Sequence, residues 1–341
     1  MMKTLQAAVI GCGSIHTCHV AAIRHEPDCQ LRAIAECDIG KGRALAQEYG
    51  CDFYTDYHEM LCDPQIDVVH ICLPHHLHKE AILAALAAGK HVFTEKPVAL
   101  NIGEVSAIKL AASQAAGLTG VCYQNRLNPS SQKIKTLLES GQLGNMLSIK
   151  AILTWSRSGA YYSESLWRGR FATEGGSLLI NQAIHTLDLM QWFGGGVHAL
   201  KGVVERTFLS ELTENEDTAM VSLKMGNGAH GLFYATNCHS TDSPLLLEIH
   251  CEKGLLQLYH NVLWLIEGEN KTLLISDDSP SGTAKSYWGD SHRQAVSNFY
   301  HSVRHPEEQN YISVSQAEVS LNIVGAIYRS SQSGKWITLA D

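Results

Sequence analysis

The sequence predicts an α/β protein of two domains. A doubly wound parallel sheet runs through residue 124, and an α+β domain with a large, mostly antiparallel, open-faced sheet occupies residues 125–341. Three observations predict it. Short apolar runs alternate with helix-like stretches up to Tyr123, the pattern of parallel strands joined by crossover helices. After Gln124 that alternation stops, and strands dominate from Ala199 onward. Gly226-Asn227-Gly228, between two alternating runs, is a hairpin turn and requires antiparallel neighbours.

The first strand, residues 5–10, runs straight into Gly11-Cys12-Gly13-Ser14-Ile15-His16 and a helix reaching residue 23. Strand, glycine turn and helix in that order make a dinucleotide fingerprint. Gly11 permits the tight turn, Gly13 lets the backbone approach a pyrophosphate, and the helix start at Ser14 and Ile15 faces the anion. His16 stands where the fingerprint has its third small residue. A second strand, 31–35, leads to Glu36-Cys37-Asp38. The Asp38 carboxylate can accept hydrogen bonds from adenosine ribose hydroxyls and would repel a 2′-phosphate. Ile39 rather than Arg follows it, so NAD is favoured over NADP. Asp38 is also placed to cap a helix over 41–49.

A buried strand over 68–73 gives way to the loop Leu73-Pro74-His75-His76-Leu77-His78, placed to pack near the nicotinamide half of the cofactor. A helix over 79–88 closes at Gly89. The next strand, 91–94, is broken by Glu95-Lys96-Pro97, because proline has no ladder N–H and restricts its predecessor. The break aims the Lys96 ammonium out of the carboxyl end of a strand, the edge where such sheets bind ligands. A helix over 102–116, stopped by Gly117, and a strand over 118–123 complete this domain.

The second domain opens with an amphipathic helix over 129–140 and a strand over 147–155. A long loop follows, carrying Tyr161, Tyr162, Trp167, Arg168 and Arg170. These residue types suit a sugar face and its hydroxyls, and equally suit packing on an oligomer partner. A helix over 177–193 then carries Asn181, His185, Asp188 and Trp192 at helical spacing, on one face. So apolar a helix buries such a stripe only where it is satisfied or functional. Strands over 199–208, 218–224, 230–237, 245–251, 255–259 and 262–266 form the large sheet. One face reads apolar and takes a helix; the other, if uncovered, is an oligomer surface. Helices over 291–303 and 315–331 close the chain, the last a candidate to pack back on the first domain.

A net charge of −8 and a pI near 6.1 argue against nucleic acid or an anionic membrane as the main partner. No apolar run reaches the roughly 18 residues needed to span a bilayer, and the amino end shows no signal-peptide cleavage pattern. Ten cysteines include no C-x-x-C pair. Their spacing disfavours zinc, and chain size with no export signal disfavours a disulfide framework, which points to reduced thiols in the cytoplasm. His75, His76 and His78 lie in a loop rather than at helical ligand spacing, so no metal site is expected.

The pattern resembles the Gfo/Idh/MocA family of NAD(P)-dependent oxidoreductases, the glucose–fructose oxidoreductase and inositol dehydrogenase type, over essentially the whole length. The likeness rests on VIGCGSI with His19 soon after, on Asp38, on LPHHLH leading to AAGKHVFTEKP, on NRLNP from Asn125, and on EGGSLLINQAIHTLDLMQW. It implies a Rossmann domain followed by an α/β domain whose open sheet makes homodimers or homotetramers. It also implies that Lys96 and His185 contact the hydroxyl being oxidised, on a sugar or cyclitol, and that Glu95 and Lys96 lie beside the cofactor. Where the family often has Asp four residues before the histidine, this chain has Asn181. An amide can hydrogen-bond a sugar hydroxyl but cannot act as a base. Charge flow then assigns the roles: neutral His185 takes the proton, and the Lys96 ammonium stabilises the developing alkoxide. Asn125 and His292 are further lining candidates. Two rival readings share the fold: an NAD-dependent glycosidase that oxidises its sugar transiently, and a sugar- or nucleotide-sensing regulator without chemistry. Retention of both Lys96 and His185 speaks against the regulator.

Overall fold

The protein is described by a computed structural model over residues 3–276 and 291–339. Two compact units emerge: Met1–Gln124 with Ser291–Glu318, and Asn125–Asp290 with Val319–Asp341.

In the first unit the chain alternates through β1 (Leu5–Ile10), α1 (His16–His25), β2 (Cys29–Ala35), α2 (Ile39–Tyr49), β3 (Asp52–Tyr54), α3 (Tyr57–Leu61), β4 (Val68–Ile71), α4 (His78–Ala87), β5 (His91–Glu95), α5 (Ile102–Gln114) and β6 (Thr119–Cys122). The strands pair in parallel in the order β3-β2-β1-β4-β5-β6. That order reverses between β1 and β4, so the carboxyl ends of these two strands flank the crevice where such sheets take ligands. Val9, Ile10, Ile34, Val69, Ile71 and Phe93 are sealed from solvent, the near-continuous apolar strands of a sheet covered on both faces. Side chains cap helix starts: Asp38 Oδ1 accepts the Lys41 N–H at 3.0 Å ahead of α2, Asp56 Oδ1 accepts that of His58 at 2.8 Å ahead of α3, and Asn101 Oδ1 accepts that of Glu104 at 3.0 Å ahead of α5. Neither β3 nor α3 is signalled by the sequence, because three to five residues are too few to show a period. β4 stops at Ile71, short of the expected 73, and the chain turns at Pro74 into a single 3₁₀ turn, His75–Leu77.

The second unit contains α6 (Pro129–Glu139), β7 (Met146–Thr154), α7 (Gly159–Ser163), α8 (Phe171–Glu174), α9 (Ile184–Phe193), β8 (Val197–Glu205), β9 (Thr218–Met225), β10 (His230–Thr236), β11 (Leu246–Cys251), β12 (Gly254–Tyr259), β13 (Val262–Glu267) and β14 (Asn270–Ile275). The chain then forms α10 (His292–Arg304), α11 (Val314–Ser333) and β15 (Ile337–Thr338). Nine strands pair in the order β14-β13-β12-β11-β7-β10-β9-β8-β15. β7 and β10 run parallel and the other described pairs antiparallel. The expected hairpin joins β9 to β10, with Gly228 at φ +88 and the Met225 N–H donating to Ala229 O at 2.9 Å. Along β9, buried Ala219, Val221, Leu223 and Met225 alternate with residues left toward solvent. β14, a mostly exposed edge strand, and the two-residue β15 extend the sheet beyond what the pattern predicts.

Candidate active site

The glycine turn is the best-formed part of the first unit's crevice. Gly11 sits at φ +86, and a Cβ there would come within 2.8 Å of the Cys72 carbonyl, so a side chain is excluded twice over. At Gly13 a Cβ would meet nothing nearer than Cys72 O at 4.0 Å, so the backbone faces open space. α1 starts beside it, after exposed Ser14 and half-buried Ile15, with no side-chain cap; the His16 and Cys18 N–H groups donate to Gly13 O and Ile15 O, and the positive end of the helix faces the turn. These features fit the pyrophosphate of a dinucleotide. His16 occupies the third fingerprint position by bonding in place: Nδ1 donates to Gly13 O at 2.5 Å, and Nε2 accepts from the Tyr49 hydroxyl at 3.0 Å. The carbonyl can only accept, so it fixes the tautomer.

Sequence reasoning passed over Glu36. Its carboxylate accepts the N–H of Cys12 at 3.2 Å and of Asp38 at 3.1 Å, and pairs with Lys41 at 3.3 Å. Burial opposes its charge, yet these donors hold it below the usual carboxylate range. Lys41 is thereby engaged by Glu36, while Asp38 lies three residues beyond β2, capping α2. Leu73 and Pro74 are half-buried across from the glycine turn, and His75 is buried. His78 behaves differently from expectation. It is fully buried, with Nδ1 2.7 Å from Pro97 O and Nε2 2.8 Å from Leu73 O, so it clamps the loop after β4 to the Glu95-Lys96-Pro97 turn instead of reaching for a cofactor. Burial lowers its pKa although the two carbonyls act to raise it.

Lys96 is half-buried where β5 ends, and its bond to Pro97 is cis. Glu95 lies buried beneath it. Its Oε1 accepts from His19 Nε2 at 3.0 Å, and His292 Nε2 stands 3.8 Å away. Burial alone would raise the carboxyl, but His19, His292 and Lys96 together hold it well below its ordinary range.

In the second unit, the helix expected over 177–193 divides into a π-helical stretch, Leu178–Ala183, and α9. Ahead of it Gly176 sits at φ +154, where a Cβ would lie 2.3 Å from the Tyr328 hydroxyl. Buried Glu216 accepts the N–H of Ser177 at 3.4 Å and of Leu179 at 2.8 Å, taking donors that a helix start leaves over. The wider π turn breaks the regular spacing, so the polar stripe serves separate ends. Asp188 accepts a bidentate pair from Arg126 at 2.7 Å each and the Ser320 hydroxyl at 2.7 Å, which makes it a structural anchor. Trp192 packs beneath the cations of Arg126 and Lys135, 5.6 and 5.3 Å from its ring centroid. His185 stands in the first turn of α9 at 9 % exposure.

Asn181 Nδ2 donates to Glu174 Oε1 at 2.6 Å and to the Tyr161 hydroxyl at 3.2 Å. Arg168 covers the Tyr161 ring at 4.2 Å and lies 5.5 Å from that of Trp167, so these three loop residues and Asn181 form one cluster. Tyr162 meets the cluster only through its ring, which packs edge-on against that of Tyr161 with centroids 5.1 Å apart. Its hydroxyl turns inward, 3.3 Å from Ser177 Oγ, and burial pushes its pKa up to about 12. Asn125 is half-buried in a 3₁₀ turn, Gln124–Leu127. Glu174, another residue the sequence did not single out, has its pKa raised to about 7 by burial, against the N–H groups of Asn181 and Gly169.

Comparisons with known proteins match both units. The model of an oxidoreductase family with an NAD-binding Rossmann fold, GFO_IDH_MocA, matches residues 5–123, and the GFO/IDH/MocA C-terminal domain matches 131–257. Levoglucosan dehydrogenase of Pseudarthrobacter phenanthrenivorans is 27% identical over 285 residues, covering 74% of this chain and 73% of its own. Myo-inositol 2-dehydrogenase of Thermotoga maritima is 28% identical over 238 residues, 67% of each chain. Among solved structures, the WlbA dehydrogenase from Bordetella pertussis, in complex with NADH and UDP-GlcNAcA, superposes with a TM-score of 0.87 at 26% identity over 100% of both chains.

Proposed function

The chain belongs to the GFO/IDH/MocA family of NAD-binding oxidoreductases, and from that premise we propose that it moves a hydride between NAD and a secondary alcohol of a sugar, cyclitol or sugar derivative. The observation that carries the reading is Lys96, presented at the carboxyl end of β5 in the same sheet whose β1–β4 crevice fits a dinucleotide. The relatives named for levoglucosan and inositol, and the WlbA structure with its sugar nucleotide, support a polyol substrate.

When bound, NAD supplies the hydride acceptor. The protein's part is to handle the oxygen. Lys96 stabilises the developing alkoxide through its positive charge. His185 takes the hydroxyl proton, and returns it to the oxygen when a ketone is reduced. Asn181, Tyr161 and Arg168 offer a ring face with donors and acceptors around it, the chemistry that holds a sugar. Asp38 favours NAD over NADP.

NAD reduction is followed at 340 nm against a panel of sugars, cyclitols, sugar acids and UDP-sugar acids. Turnover that falls at least a thousandfold in both Lys96→Ala and His185→Ala is the expected result. A protein that binds NAD yet reduces it with no compound would overturn the reading, and nitrophenyl glycoside cleavage would then favour the glycosidase.

The assembly we propose is a homodimer or homotetramer joined through the open face of the nine-stranded sheet, supported by the apolar side chains it exposes. Ten cysteines without a disulfide support a cytoplasmic setting.

A further inference from the structure

A row of hydrogen-bonded side chains lies behind Lys96, wholly within the first unit. The Tyr300 hydroxyl on α10 is 2.8 Å from His70 Nε2 on β4, His70 Nδ1 is 2.8 Å from His19 Nδ1 on α1, and His19 Nε2 is 3.0 Å from Glu95 Oε1 at the end of β5. None of the four exceeds 7 % exposure. At the far end the Tyr300 hydroxyl meets the half-buried Cys29 thiol. At the near end the Lys96 N–H lies 3.3 Å from Glu95 Oε2. Four polar groups in a core are retained at a cost in stability unless they are matched or used.

The geometry limits where protons can sit. Ionised Glu95 can only accept, so His19 Nε2 carries a proton. Between two Nδ1 atoms 2.8 Å apart there is room for one. In one arrangement both rings are neutral: Tyr300 donates to His70, and His70 donates to His19. One more proton converts His19 to an imidazolium; His70 then accepts at Nδ1 and donates at Nε2, and the Tyr300 hydroxyl turns toward Cys29. Burial and the neighbouring His19 push His70 down, and the ring that faces the carboxylate directly is that of His19, with Nε2 3.0 Å from Glu95 Oε1. The row therefore holds one proton or none, and the His19–Glu95 pair is neutral with it and singly negative without it. The other groups facing Glu95 are His78, His292, Lys96 and the thiols of Cys72 and Cys122. Burial keeps both thiols and His78 neutral, and His292 Nε2 stands farther from the carboxylate than His19 Nε2 does, 3.8 Å against 3.0 Å.

We propose that the Tyr300–His70–His19–Glu95 row is a one-proton store coupled to the redox state of the cofactor, emptied when the cationic oxidised nicotinamide is bound and filled when the neutral reduced ring replaces it. The inference rests on the placement of Glu95 and Lys96 beside the nicotinamide. A cation near the carboxylate favours the empty, negative row, and by linkage the empty row favours the cation. Alcohol oxidation removes a positive charge from the ring and releases a proton, so the store opposes the change of charge with each turnover.

The test is calorimetric titration of the whole protein with NAD⁺ and with NADH between pH 6 and 9, in buffers of different ionisation enthalpy, which counts protons. The wild type is expected to prefer NAD⁺ over NADH increasingly with pH, by about tenfold across the range. Near the midpoint it is expected to release about half a proton more with NAD⁺ than with NADH, which is what a tenfold change in preference corresponds to for a single site. Glu95→Gln is expected to flatten the pH dependence. Tyr300→Phe, which keeps the ring and leaves Glu95 in place, removes the acceptor that the filled row needs and is expected to move the midpoint to lower pH. Equal proton counts for the two forms would overturn the inference even if neither variant folds, and so would a Tyr300→Phe profile that superimposes on the wild type. The underlying assignment fails separately: Lys96→Ala with undiminished turnover would remove Lys96 from the reacting oxygen whatever the proton count.

Discussion

Asn181 takes its meaning from the residue it touches. Its amide donates to Glu174 Oε1 at 2.6 Å, where the aspartate common in the family would set two carboxylates in contact. Asn181→Asp is expected to raise the pKa values of the pair further and to confine activity to lower pH, read from the pH profile of kcat/KM. Glu174 itself makes a stability prediction. Its folded pKa is raised from 4.5 to about 7 by burial, so folding favours the protonated form. That contribution is complete below about pH 4.5 and is lost as pH rises through 7. The difference corresponds to ~3 kcal/mol. Glu174→Gln is expected to gain stability relative to the wild type between pH 5 and 8 in urea titrations, and a constant difference across that range would contradict it. Asp188 and Arg126 are each nearly sealed from solvent and neutralise one another. Asp188→Ala leaves a buried guanidinium unpaired and is expected to cost about 3–5 kcal/mol in the same measurement.

At the scale of elements, what could be read from the chain was what is local. β1, β2, β4 and β5 each end at a glycine, a proline or acidic residues within a few positions, so the order of these elements, the glycine turn and the position of Lys96 were all legible. β3 and β15 are too short to carry a period. The π-helical Leu178–Ala183 has the composition of an α-helix; what accompanies its departure from α geometry is Glu216, a carboxylate far along the chain bonded to Leu179. Tyr300 and His70 meet across 230 positions, with no local signal to join them. His16 could be seen as a departure from the fingerprint but not as a brace, because its partner Tyr49 belongs to another helix. His16→Gly would restore the small residue yet remove the bonds to Gly13 O and Tyr49. It is expected to weaken NAD binding about five- to tenfold by calorimetry, consistent with loss of a net hydrogen bond of roughly 1 kcal/mol. Tighter binding would mean that the histidine obstructs the turn.

For the molecule as a whole, the decisive surface is the outward face of the nine-stranded sheet. Register places Val203 opposite Met220, Met220 opposite Tyr234, Tyr234 beside Ile152, Ile152 opposite Leu246, Leu246 opposite Tyr259 and Tyr259 opposite Val262. One apolar row thus crosses seven strands, roughly 30 Å at the usual strand spacing, with Met220 at 41 % and Tyr259 at 48 % exposure. The neighbouring row is mixed, with Leu232 and Trp264 in register with Lys201, Ser222, Gln257 and the Lys150–Glu248 ion pair. Scattered apolar residues on a surface need no explanation, but an unbroken row is what a two-fold interface buries. A stable pair buries about 800 Å² from each partner. The double variant Met220→Arg, Tyr259→Glu puts a cation and an anion on this row without touching the buried face. Sedimentation velocity is expected to show an oligomer for the wild type and a smaller species for the double variant, while far-UV circular dichroism and NAD binding persist, because the dinucleotide crevice belongs to the other unit. An unchanged sedimentation coefficient in a folded double variant would place the interface elsewhere and leave the exposed row without a partner.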